Sequence, residues 1–101
     1  MKIEHMTDTA MLEGLAEEAT ELAQAALKLA RILRGENPTP VTIEAARSRL
    51  TEETADVLLY LQEVRENHRI TLQEISEIMT VKRQRWAARL EGSDAARQDQ
   101  G

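Results

Sequence analysis

The sequence predicts an all-α fold of three long helices, and three observations carry that reading. Ala, Leu and Glu dominate, while 101 residues include only 4 Gly and 2 Pro, a composition that favours helix over sheet. Aliphatic residues recur at helical spacing. The strong breakers Gly35, Pro38 and Pro40 gather in GENPTP (35–40), and the apolar spacing breaks off again at the polar ENHR (66–69), which gives three segments.

The first helix is expected from about Asp8 to Arg34, with Asp8 or Thr9 as its cap. Leu12, Leu15, Ala19, Leu22, Ala26, Ala30 and Leu33 form its apolar stripe, and Gly35 ends it as a C-terminal cap. Two prolines and a glycine keep GENPTP out of any helix interior. The second helix is expected to start near Pro40, with Thr39 as cap and Pro40 in the first helical position. Its stripe is Ile43, Ala46, Leu50, Val57, Leu61 and Val64, and it ends around Glu66. The third helix opens with TLQE, a capping box of Thr71 with Glu74, flanked by Ile70 and Ile75 as a hydrophobic staple. Ile75, Ile78, Met79, Trp86 and Leu90 continue an apolar face to about Glu91. The helical domain is therefore expected over 1–91. GSDAARQDQG (92–101) is polar and bounded by glycine, and is expected to be a disordered tail.

The first two helices would each be roughly 40 Å long at 1.5 Å per residue. Three such helices in one short chain leave apolar surface uncovered. The simplest remedy is a second copy, so an oligomeric multi-helix bundle is expected, as a homodimer or homotetramer.

Composition excludes several function classes. A net charge of −5 argues against a nucleic-acid polymer as partner. The absence of Cys removes disulfides and thiolate metal sites. MKIEHMTDT lacks the apolar core of a signal peptide, and VLLYL, the longest apolar run, is far too short to span a bilayer. These readings point to a soluble cytoplasmic protein with no membrane partner. His5 and His68 have no partner at metal-ligand spacing and are expected to be exposed.

One acidic pattern is written twice. LAEEATEL (15–22) and LTEETADV (50–57) share Leu-x-Glu-Glu-x-x-acid-aliphatic, the second copy starting 35 residues after the first. On a helical wheel Glu18 lies at the margin of the apolar arc of Leu15 and Leu22, with Glu21 one step further round. Glu53 and Asp56 take the matching places on the second helix. Each helix thus presents two carboxylates on one side, three residues apart and adjacent in space. Burying such groups unpaired costs several kcal/mol. Either they stay solvated or a cation compensates, and a hard divalent ion such as Mg²⁺, with oxygen ligands, is the natural compensator. Gly14 and Ala25 lie on the side of Glu21, where small residues would leave room for a ligand. The bland reading, a solvated face of an acidic helix, suits one such motif; the matched second copy weighs against it.

At these residues the sequence resembles the MazG-like all-α nucleoside triphosphate pyrophosphatases. Their paired signature, EExxE and then ExxD, reads here as Glu17-Glu18-x-x-Glu21 and Glu53-x-x-Asp56. ADVLLYL (55–61) is similar to the run after the acidic pair in dCTPase-like members, and ISEIMTVKRQRWAARL (75–90) to a later helix of the family. Where those members often carry Tyr-Pro, this chain has Trp86-Ala87, and GENPTPVTIEAARSR is longer than the connection in compact members. The resemblance implies Mg²⁺-dependent hydrolysis of a nucleoside triphosphate to its monophosphate and pyrophosphate, with Mn²⁺ as a substitute ion. It implies Glu18, Glu21, Glu53 and Asp56 as metal ligands, with Glu17 behind them or accepting a proton. Tyr60 would stack on the base, and Lys82 and Arg85 would approach the triphosphate.

Other roles stand beside these. Lys82 could end a solvent-facing turn, and Lys28 could meet a phosphate or remain a surface lysine. Arg85 and Arg89, four residues apart, could bind substrate or salt-bridge to glutamates. Tyr60 and Trp86, the only aromatics, could contact a base or pack in a core or interface. Two further function classes remain: a non-catalytic dimeric helical interaction module, and a pyrophosphohydrolase acting on a phosphoribosyl-nucleotide.

Overall fold

The structure is a computed structural model that describes residues 5–36 and 40–100, with the side chains of 93–100 left undescribed. Three helices follow in order, α1 (Asp8–Leu33), α2 (Ile43–Asn67) and α3 (Leu72–Gln100), and the described residues contain no strand. The expected all-α class with three long helices is what forms. No helix among the described residues is long and apolar enough to cross a membrane.

The helix ends show local chemistry at work. Thr7 caps α1: its backbone is extended, with ψ 158°, and its hydroxyl accepts the Ala10 N–H at 3.1 Å. The cap expected at Asp8 or Thr9 lies earlier because Asp8 is already helical. The Asp8 carboxylate instead meets Asn67 Nδ2 at 3.0 Å and His68 Nε2 at 2.7 Å. At the other end Gly35 takes φ 75°, its N–H donates to Ile32 O at 3.0 Å, and the Glu36 N–H donates to Arg31 O at 2.9 Å. That is the expected glycine C-cap, in the form of a Schellman motif.

α2 begins later than expected. Pro40, Val41 and Thr42 are not helical, and Thr42 is the cap, accepting the Ala45 N–H at 3.1 Å. The expected cap, Thr39, lies outside the described residues. Thr42 suits the place because its hydroxyl reaches the third helical N–H while its own backbone stays extended.

α1 and α2 pack antiparallel in a unit that ends at His68. Asp8 meets His68, Gly14 meets Tyr60, and Glu18 meets Asp56, so one helix descends as the other climbs. The buried and half-buried residues of α1 include Met11, Leu15, Glu18, Leu22, Ala25, Leu29 and Ile32, in alternating steps of four and three. Ala46, Leu50, Glu53, Val57, Tyr60 and Val64 repeat that rhythm on α2. This is the 3.5-residue repeat of a two-helix seam. Of the expected stripe, Leu15, Leu22 and Ala30 are half-buried, whereas Leu12, Ala19, Ala26 and Leu33 are exposed and Met11, Ala25 and Ile32 join the covered face instead. Ile43 and Leu61 likewise fall outside the buried face.

α3 belongs to a second unit that starts at Arg69. Its expected capping box is present. Thr71 Oγ1 accepts the Glu74 N–H at 3.1 Å, and Glu74 Oε2 accepts the Thr71 N–H at 3.2 Å. The helix does not stop at Glu91, and the segment expected to be disordered is helical as far as Gln100. A single glycine inside a helix costs only about 1 kcal/mol relative to alanine, and Gly92 is followed closely by the helix formers Ala95, Ala96, Arg97 and Gln98.

Candidate metal centre

The antiparallel seam explains why one acidic pattern occurs twice. The two motifs lie side by side on helices that run in opposite directions, so acids from both copies come together. Glu18 on α1 then takes the place that Glu53 takes on α2, and Glu21 the place of Asp56. Carboxylate oxygens of Glu18, Glu53 and Asp56 converge within 4.8 Å of one another. The expected margin position is corrected: Glu53 is only 4% exposed and sits in the seam itself, with Glu18 half-buried opposite. Glu21 is exposed, close enough to act electrostatically on both Glu18 and Glu53.

The electrostatics follow from this crowding. Burial raises the Glu18 carboxyl above its ordinary pKa, and the charges of Glu21, Asp56 and Glu53 push it the same way. Burial also raises Glu53; Arg49 opposes the shift, and Glu21 and Asp56 add to it. Arg49 Nε lies 2.9 Å from Glu53 Oε1, one helical turn away on α2. Even so, Glu18 Oε2 and Glu53 Oε2 are buried without a hydrogen-bond partner. Orphaned buried carboxylate oxygens are uncommon, because the lost hydration must be replaced.

These residues fit a hard cation. All the donors are carboxylate oxygens, which Mg²⁺ prefers. Two of them have buried oxygens in need of a positive partner. One oxygen from each of Glu18, Glu53 and Asp56 lies within 4.8 Å of the others, so the three could turn toward one shared ion.

The expected room for a ligand at Gly14 and Ala25 is absent. A Cβ on Gly14 would lie 2.7 Å from Tyr60 Cζ and 2.9 Å from its hydroxyl oxygen, so the Tyr60 ring already fills that space. Ala25 is buried in the seam. Tyr60 therefore packs across α1, as an aromatic on an apolar face commonly does. Glu17 is exposed on α1, and Lys28 is half-buried there. Lys82, Arg85, Trp86 and Arg89 are all exposed on α3, within the second unit. Lys82 and Arg85 share one face of α3 with Ile78 and Val81.

Sequence reasoning missed Arg49. The signal was present, since Arg49 stands four residues before Glu53 on the same helix face. His68, expected to be exposed, is so, and it bridges α2 to Asp8 at the start of α1. No known family model, curated protein or solved structure matches this chain.

Proposed function

We propose that this chain is a Mg²⁺-dependent nucleoside triphosphate pyrophosphohydrolase, converting a (d)NTP and water to (d)NMP and pyrophosphate. The carrying observation is the convergence of Glu18, Glu53 and Asp56 from two helices, with buried carboxylate oxygens that have no protein partner. A solvated acidic face has no need to bury Glu53, and an interaction module has no need of two matched pairs.

The proposed roles follow from placement. Glu18, Glu53 and Asp56 hold the ion, and Glu21, beside them and exposed, completes the set or takes a water ligand. Bound there, Mg²⁺ supplies charge neutralisation at phosphate oxygens and lowers the pKa of a water ligand. The carboxylates orient the attacking water, and their buried setting strengthens every charge interaction around it. Glu17 is the nearby exposed carboxylate available as a proton acceptor. Lys82, Arg85 and Arg89 are the cations proposed to meet the triphosphate, with Lys28 on α1 as a further one. Tyr60 and Trp86 are the proposed base contacts, Tyr60 through the part of its ring not packed on Gly14. A phosphoribosyl-nucleotide substrate would use the same ion and the same attack.

The working unit is proposed as a homodimer or homotetramer. Leu27, Leu58 and Leu59 are each more than half exposed on the α1–α2 unit, and a second copy would cover them. A panel of common and damaged (d)NTPs, incubated with Mg²⁺ and read by product chromatography, tests the reading. Monophosphate and pyrophosphate are expected. Release of orthophosphate with a diphosphate overturns attack at the α-phosphorus.

A further inference from the structure

The acidic cluster contains one positive charge of its own, and its placement is unusual in three respects. Glu53 is buried, yet only Oε1 is paired, by Arg49 Nε at 2.9 Å, while Oε2 has no partner. The Arg49 side chain is 61% exposed although its carboxylate partner is 5% exposed, so the guanidinium approaches from water. The pair also runs basic-to-acidic along α2, the weaker orientation for residues four apart, so helix electrostatics alone give little reason for it.

The repeated motif sharpens the contrast. The residue that corresponds to Arg49 in the first copy is Gly14, which makes room for Tyr60. The first motif therefore has no counterpart of Arg49 at the matching position, and Glu18 Oε2 is buried without a hydrogen-bond partner. The Arg49 guanidinium is paired with Glu53, whose neighbours in the cluster are the carboxylates of Glu18, Glu21 and Asp56. A divalent ion would neutralise one charge more than Arg49 does.

We propose that Arg49 is the resident counter-cation of this cluster: it holds Glu53 when no divalent ion is bound, and yields that carboxylate to the ion when one binds. The inference rests on the metal reading above and deepens it, because it assigns Arg49 as a positioning residue that sets how tightly the ion is held. Release is inexpensive for Arg49, since an exposed guanidinium regains water as it leaves and exposed ion pairs are weak. It is favourable for Glu53, because a divalent ion is a stronger partner for a buried carboxylate than one bond from Nε. A purely structural ion pair would behave differently, for it would stabilise the fold equally with and without metal.

The test compares wild type with Arg49→Met, Arg49→Lys and Arg47→Met, using the full chain. Melting is followed in chelator and in Mn²⁺, and Mn²⁺ binding is measured by the electron paramagnetic resonance of the free ion. Arg49→Met is expected to melt below wild type in chelator, and the gap is expected to close in Mn²⁺. Its Mn²⁺ affinity should rise roughly threefold to tenfold, the range set by the loss of one partly exposed charge. Arg49→Lys should fall between, and Arg47→Met, an exposed cation with no contact to Glu53, should match wild type. A melting gap that persists in Mn²⁺, or an affinity that is unchanged or weaker, overturns the proposal. If Arg49→Met is unfolded in chelator, Mn²⁺ should refold it, and failure to refold also overturns it. If all four chains bind Mn²⁺ equally, the Arg49 proposal alone falls; if none binds, the metal reading falls with it.

Discussion

Tyr60 lies directly over Gly14. Its Cζ stands 2.7 Å and its hydroxyl oxygen 2.9 Å from where a Cβ on that glycine would be. The contact ties the middle of α2 to the first half of α1, one turn before Glu18, and so helps to set the register at which the carboxylates meet. Gly14→Ala brings two opposed effects. Better helix propensity gains about 1 kcal/mol, and overpacking against the ring costs about 1–3 kcal/mol. The gain should appear in full only when Tyr60 is also replaced by Ala. Urea denaturation of both single variants and the double variant measures the coupling, and additive effects would deny the contact.

Glu53→Gln keeps the size of the side chain and removes the buried charge. In chelator it should melt above wild type, since the charged form of Glu53 is disfavoured by burial and by Glu21 and Asp56 despite Arg49. In Mg²⁺ it should gain less stability than wild type, and turnover should fall by about 100-fold or more. Glu18→Gln should behave alike, while the exposed Glu52→Gln should be close to neutral. Equal responses of Glu52→Gln and Glu53→Gln would make the acids a solvated face.

The raised carboxyls also set a pH dependence. Glu18 and Glu53 bind protons more tightly when folded than at their ordinary value of 4.5. Their contribution to stability is therefore full below that value and is lost as pH rises through the folded pKa values. In chelator, the two carboxyls should add stability as pH is lowered through their raised pKa values towards 4.5, and Glu53→Gln should remove part of that gain. In Mg²⁺ the trend should reverse, because the ion needs deprotonated ligands. Thermal melts of wild type and Glu53→Gln across the acid range check both signs, and identical pH profiles of the two in chelator contradict the buried cluster.

Thr42→Ala removes the hydroxyl that accepts the Ala45 N–H and should cost about 1 kcal/mol. Thr39→Ala should cost little, because Thr42 supplies the α2 cap. Chemical denaturation of the two variants separates the residues, and a larger loss for Thr39→Ala would move the start of the helix.

Local chemistry was legible from the residues alone. Helix number and type follow from composition, spacing, the breaker cluster of Gly35, Pro38 and Pro40, and the polar break at ENHR. The Thr71–Glu74 box and the Gly35 cap follow from groups only a few residues apart, whose bonds form within one turn. The pairing of Glu18 and Glu21 with Glu53 and Asp56 was also readable, because a repeated motif at one wheel angle marks matching faces. What the tertiary structure decided is which way those faces turn. Met11 or Leu12, and Ala25 or Ala26, are nearly equivalent choices for an isolated helix. The antiparallel partner selects Met11 and Ala25, because a two-helix seam follows a 3.5-residue repeat. That rotation moves Glu53 from the margin of the apolar arc into the seam, draws Tyr60 onto Gly14, and pairs Arg49 with a buried acid. Each of these contacts except Arg49–Glu53 joins residues far apart in the chain. Their energies depend on the register between two helices, which local propensity and periodicity do not specify.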